Sequence, residues 1–208
     1  MCDGAGVTVT PMFPLGTVVV PGMVLPLQVF EPRYREMLQH VMAGDQTFGV
    51  VLIERGSEVG GGDVRTDVGT LARVVRAEEQ PDGRWAVVAA GVGRIRVDRW
   101  LPDDPYPLAE TSAWPDEPGA ANDAVAPLLR RAAALSLELG RPAAPLDLEL
   151  SDDPVVAGYQ AILAAPLGPA DRQQLLAAPT LLDRWTLLEA LLTDQIELLQ
   201  AQLGPSGP

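Results

Sequence analysis

The stretch "PLQVFEPRYREMLQHVMAG", residues 26–44, changes its period at the centre. In "LPLQVF", Leu25, Leu27 and Val29 recur every second residue, which places them on one face of a strand. From Pro32 the repeat lengthens. Tyr34, Met37, Leu38, Val41 and Met42 fall at helical spacings of three and four, one apolar stripe. Pro32 suits the first helical turn, where its missing N–H costs little. Glu31 sits beside the positive end of the helix dipole. Gly44, just past the stripe, is expected as a left-handed cap. The stretch therefore predicts a strand, a tight corner and a helix, with Glu31 and Arg33 flanking the corner.

Working outward, residues 7–30 read as strand material broken by Pro11, Pro14, Pro21 and Pro26, so its strands are expected to be short or irregular. Those prolines also rule out a membrane-spanning helix there. "FGVVLI" (48–53) reads as a buried strand, and "ERGSEVGGGDVRTD" (54–67) as a flexible loop. "GTLARVVRAEEQ" and "RWAVVAAGV" flank "PDG", a hairpin signal. In "GRIRVDRW" Ile95 and Val97 face one way, Arg94, Arg96 and Asp98 the other. "WPDEPGAAND" (114–123) marks a connection. Beyond it come four helical patterns, opening near Asn122 or Asp123, near Pro154, at "GPADRQQLL" and at "TLLDRW". The last carries a seam of Leu181, Trp185, Leu188, Leu192, Ile196, Leu199 and Leu203. This seam is expected to serve the domain's own core rather than a dimer, which favours a monomer. Strands first and helices after predict an α+β fold.

Charge and composition exclude several chemistries. The 208 residues carry a net charge of −13, and all 15 basic residues are arginine. Without lysine there is no phosphate-loop lysine, no Ser-Lys dyad and no Schiff base. Residues 1–114 hold 10 Arg against 15 acids and residues 115–208 hold 5 against 13, so neither half is a basic footprint for nucleic acid or an anionic membrane. The single cysteine, Cys2, excludes a disulfide framework and a thiolate cluster. No positive charge precedes Arg33, as a signal peptide would require. A cytoplasmic protein without metal or other cofactor is expected.

The candidate sites are few. His40 has no partner motif and is expected to pack or to face water. "GGG" (60–62) lacks a following Lys-Ser or Lys-Thr, and "GVGRIR" (91–96) leads into a strand, so both glycine clusters are expected in turns. Arg94, Arg96 and Arg99 form the best basic cluster, which could meet phosphate or acidic residues; the plainer reading is a solvated face with internal ion pairs. Glu31 has no second acid on its face, so paired-carboxylate catalysis is excluded and a structural corner remains.

Read in order, "PLGTVVVPGMVLPLQVFEPRYREML", "FGVVLIERGSE", "VGTLARVVRAEEQPDGRW", "GVGRIRV" and "PYPLAE" resemble the Lon substrate-binding domain, the N-terminal domain of Lon-type proteases of peptidase family S16. "DRQQLLAAPTLLDRWTLLEALL" is similar, more loosely, to its helical tail. The resemblance implies a PUA-like, β-barrel-like lobe with an embedded helix at residues 7–114. A linker at 115–121, a helical lobe at 122–203 and a disordered tail at 204–208 would follow. Pro26, Phe30, Glu31, Pro32, Arg33 and Tyr34 belong to the family motif and are expected to be structural.

The resemblance further implies a stand-alone, bacterial-type, non-catalytic module that binds unfolded or degron-bearing proteins, as an adaptor or regulator in proteolysis. Any protease label would describe the relatives' ATPase and peptidase domains. The expected surface is a groove between lobes with an exposed sheet edge. Its candidate walls lie in "VVVPGMVLP", with Met23 suited to adaptable binding, and Arg94 and Arg96 are the other binding candidates. Two rivals are carried: a PUA-like RNA-binding domain, which the net charge opposes, and an enzyme of unknown type, for which no nucleophile, base and stabiliser assemble.

Overall fold

The computed structural model describes residues 6–56 and 62–204. Cys2, Gly60, Gly61 and the expected tail beyond Gly204 lie outside these. The chain runs β1 (Thr8–Leu15), β2 (Val24–Val29), α1 (Pro32–Ala43), β3 (Thr47–Arg55), β4 (Val64–Glu79), β5 (Trp85–Trp100), β6 (Leu108–Ala113), α2 (Val125–Glu138), α3 (Pro154–Ala164), α4 (Pro169–Leu176) and α5 (Leu181–Leu203). Among the described residues it is α+β, with one mixed sheet and five helices. It divides into two compact units, the first ending at Pro115 and the second beginning at Asp116.

In the first unit the strand order is β2-β5-β4-β3-β1-β6, with a further pairing of β5 to β6. Only β1–β3 is parallel. The ladder returns on itself because β5 is 16 residues long and shares one edge between two partners. Trp85 to Ala90 pair with β2, Ile95 to Trp100 with β6, and β4 takes the other edge. Gly91 and Gly93 therefore lie inside a strand and not in a turn, which corrects the expectation. Gly91 is required by close approach: a Cβ there would lie 2.5 Å from the Val20 carbonyl oxygen.

The prolines of β1 are accommodated by the same kind of sharing. Thr8 to Pro11 pair with β6 and Met12 to Leu15 with β3, so each proline lies in a half-strand with a neighbour on one side. The segment expected to be a loop at 54–67 is shorter than read. β4 already begins at Val64, with Ile53 opposite Arg65. Arg65 holds this start in place. Its Nε lies 2.6 Å from Asp63, its Nη2 lies 2.7 Å from Asp103, and its guanidinium covers Trp100 at 4.8 Å.

The helix α1 packs as its stripe predicts: Tyr34, Met37, Leu38 and Val41 are buried. The Tyr34 ring stacks on Phe13 at a centroid distance of 4.3 Å, tying the helix to β1. Burial pushes the Tyr34 phenol up to about 12, although the nearby Arg33 charge pulls it down. Gly44 does not close α1 in the left-handed region, for its φ is −110° and its ψ −135°. The positive φ falls instead at Gln46, φ 57°, whose N–H donates to the Val41 carbonyl.

The second unit is helical. Asp153 caps α3 through the Val155 and Val156 amides, and Thr180 with Asp183 forms a capping box on α5. Along α5 the seam is buried at Leu181, Trp185, Leu188, Leu192 and Leu199, whereas Ile196 is half-buried and Leu203 is 38% exposed. Arg184, next to the seam, is 0% exposed. Its Nη2 lies 2.5 Å from Asp116, its Nε donates to the Leu175 carbonyl, and its guanidinium sits 4.5 Å from the Tyr159 ring centroid. The Tyr159 hydroxyl donates to the same Asp116.

Two outcomes follow. Asp116→Ala leaves Arg184 buried without its counter-ion and should lower unfolding stability by about 3–5 kcal/mol, read from a shifted denaturation midpoint. Replacing both Asp116 and Arg184 by apolar residues should cost less than the sum of the single changes. The second outcome concerns pH. A folded phenol pKa raised above the unfolded value means that the Tyr34 contribution is complete below about 10 and is lost as pH rises through about 12. Tyr34→Phe should therefore lose less stability than the parent between these pH values; parallel loss in both would contradict the assignment.

Candidate functional site

The corner between β2 and α1 opens onto a groove. Pro26, Leu27, Gln28 and Val29 of β2, then Phe30 and Glu31, form one side; Phe13 and Leu15 of β1 with Tyr34 of α1 complete it, around a cavity of about 200 Å³. The walls are mostly apolar, with Gln28 and Glu31 the polar exceptions. Phe30, the residue after the strand, is 57% exposed at the lip. Glu31 is fixed beside it, its Oε2 accepting from Arg33 Nε at 3.1 Å, and the Arg33 guanidinium lies 4.5 Å from the Tyr34 ring centroid.

The groove runs beside a sheet edge. Among the described strands β2 pairs with β5 alone. The Gly91 N–H donates to the Met23 carbonyl. Carried along the antiparallel register, this turns the backbone of Leu25, Leu27 and Val29 toward β5 and that of Val24, Pro26 and Gln28 away from it. Pro26 fits that pattern, since it has no N–H to give on either side. The outer edge thus offers the N–H and C=O of Val24 and Gln28 and the C=O of Pro26. The side chains of these three residues are exposed, Val24 at 61%.

Four residues of the sequence motif, Pro26, Phe30, Glu31 and Tyr34, are brought to this groove. Met23 is not among its lining. It is half-buried and packs against the core formed by α1 and the sheet. Val18, Val19 and Val20 are 2%, 2% and 0% exposed, so that part of "VVVPGMVLP" is core and not a groove wall. Phe13 and Leu15 are the groove residues that sequence reading missed. Their signal lies in which strand neighbours the corner, and no local pattern carries it.

Arg94 and Arg96 form a separate feature. Their guanidiniums lie 4.1 and 3.7 Å from the ring centroid of Trp114, whose backbone N–H donates to the Arg94 carbonyl. Arg94 is 3% exposed, which corrects the picture of a wholly solvated face; the indole covers what alternation alone would leave in water. Arg96 is exposed, Asp98 accepts from Ser112, and Arg99 pairs with Glu110 at 2.5 Å. His40 is exposed, with Nδ1 2.9 Å from the Tyr106 hydroxyl. Among the described residues no group of three or more His, Cys, Asp or Glu could hold a metal ion, and no helix is long and apolar enough to cross a membrane.

The arrangement sets backbone hydrogen-bonding groups, an apolar slot and an aromatic lip side by side. Residues 9–194 match the family described as the ATP-dependent protease La (LON) substrate-binding domain. The Lon protease of Cytophaga hutchinsonii is 27% identical over 205 residues, covering 93% of this chain and 25% of that protein. Lon protease 2 of Myxococcus xanthus is 29% identical, covering 92% of this chain and 24% of its own. The chain thus spans about a quarter of these relatives' length, and the family match is to the substrate-binding domain, not to the ATPase or protease domains.

Among solved structures, a Lon N-terminal domain protein from Xanthomonas campestris superimposes with a TM-score of 0.65 at 28% identity, over 89% of this chain and 98% of that one. The N-terminal domain of the Mycobacterium avium complex Lon protease, at 18% identity and a TM-score of 0.56, shares the fold over 91% of this chain and 98% of its own. The chain belongs to the LON substrate-binding domain family.

Proposed function

We propose that this chain is a non-catalytic recognition module for extended apolar polypeptide, the form presented by unfolded or degron-bearing proteins. The observation that carries the reading is the free outer edge of β2 lying beside the groove under Phe30. A peptide added to that edge gains backbone hydrogen bonds from Val24 and Gln28. It can also lay one bulky side chain in the groove against Phe30, over a floor to which Phe13, Leu15 and Tyr34 contribute. The edge contributes affinity with little dependence on sequence, and the slot selects for one large apolar residue. Such a module serves proteolysis as an adaptor or regulator that holds a client.

The ring of pairings in the β-rich unit supports a PUA-like barrel over residues 7–114, and the order of elements supports a connection at 115–121 and helices over 122–203. Within that connection Asp116 is held by Arg184 and Tyr159. RNA binding, the common analogy for PUA-like folds, is opposed by a net charge of −13.

The test is fluorescence anisotropy with a labelled extended peptide carrying one Phe among Val and Thr. Phe30→Ala should weaken binding about tenfold, the loss of roughly one apolar contact, with little change in thermal midpoint because the ring is already exposed. Gln28→Pro, which removes the N–H from the outer edge as Pro26 does two residues earlier, should weaken it comparably. Unchanged affinity in both variants would move the site elsewhere on the molecule.

A further inference from the structure

We propose that the helical unit holds a second binding site, independent of the β2 groove, that takes a carboxylate with a short apolar body. The site is a cavity of about 330 Å³ between α2, residues 142–144 and the end of α3, with Arg172 of α4 in its wall. That volume lies at the lower end of the range for small-molecule sites, about 300–1,000 Å³. Apart from Arg172 its side chains are small or apolar: Ala133, Ala143, Ala144 and Leu163 line it, and the Ser136 hydroxyl is already spent on the Ala132 carbonyl.

Arg172 is the one charged side chain in this wall. Its Nη2 donates to the Ala165 carbonyl at 3.3 Å, where it serves the C-terminal end of α3. Its Nε is buried with no hydrogen-bond partner. No carboxylate among the described residues pairs with it, although the chain carries 28 acidic residues. Arg184, in the same unit, shows the contrast, for it has Asp116. A buried donor left unsatisfied costs stability, and a guanidinium's preferred complement is a planar carboxylate. Capping α3 uses one donor and does not explain a cavity beside the rest.

The alanines bound the ligand's body to a few carbons. The carbonyl end of α3 works against any anion, so the binding expected is weak, with a dissociation constant on the order of 1 mM. The nearest such carbonyl, that of Ala165, already accepts from Leu167 N–H and Arg172. Two sources carry this chemistry: a free short alkanoate, and the C-terminal carboxylate of a polypeptide ending in small residues.

The experiment is an amide-shift titration of the full chain with butyrate, with the neutral isostere butyramide, and with a peptide ending in Ala-Ala as free acid and as amide. Saturable shifts around Ala143, Leu163 and Arg172 with butyrate or the free-acid peptide, and none with the neutral counterparts, establish the site. Whichever acid binds names the source. Arg172→Gln should weaken binding tenfold or more. Ala143→Leu, which fills the cavity and leaves the guanidinium in place, should do the same and decides the matter if Arg172→Gln fails to fold. Butyramide binding as well as butyrate, or no saturation by any acid up to about 50 mM, overturns the proposal.

Discussion

The β-rich unit depends on one strand with two obligations along one edge. β5 gives Trp85 to Ala90 to β2 and Ile95 to Trp100 to β6, while β4 runs along its other side. Without the second half the ladder would not return on itself; without the first, β2 would have nothing to pair with. The change of partner falls at Gly91 and Gly93, where the pairing with β4 also shifts register. The Val20 carbonyl approaches the backbone there more closely than a Cβ would allow. Because β2 is held from one side only, its other side remains a row of backbone groups. The groove is therefore a consequence of how the ring closes.

Much of this was legible from residues alone. The switch from a period of two to one of 3.6 located β2, α1 and the buried face of each. The apolar patterns near Pro154 and at "TLLDRW" placed two helix starts, which the structure shows to be capped by Asp153 and Thr180, and the seam of α5 is buried over most of its length. What escaped has a common cause, for it rests on contacts distant in sequence. Gly91 and Gly93 look like turn residues until Val20 is seen against the first. Pro11 and Pro14 look like strand breakers until β1 is seen to change partner between them. Arg94 alternates toward water in sequence, yet Trp114 covers it from the end of β6. Of the groove, the β2 side and Tyr34 lay within the quoted motif, whereas Phe13 and Leu15 reach it only through the fold.

The corner joins stability and recognition in neighbouring residues, but it divides the two roles physically. Tyr34 is 4% exposed and stacks on Phe13, so it belongs first to the core. Phe30 is 57% exposed and adds little to that core. An exposed aromatic beside a buried one suits a binding lip, for it offers apolar area to a partner without being needed for folding. Glu31 and Arg33, paired with each other across Pro32, keep the turn in place without presenting an uncompensated charge to an apolar ligand.

The helical unit treats its buried Arg184 and its half-buried Arg172 differently, and the difference is physically informative. Arg184 has been taken fully out of water, and although its Nη1 has no hydrogen-bond partner, its charge is met by Asp116, with the Leu175 carbonyl and the face of Tyr159 beside it. Desolvating an ion is tolerable on those terms, and it fixes where residue 116 must lie relative to α5. Arg172 has one carbonyl and a cavity. If it were needed only to close α3, a shorter donor or a backbone N–H would do, as in α4, where the Ala177 amide closes the end by donating to Gln173 and Leu175. A guanidinium kept beside empty volume in an acidic chain reads more naturally as half of a pair whose other half arrives from outside.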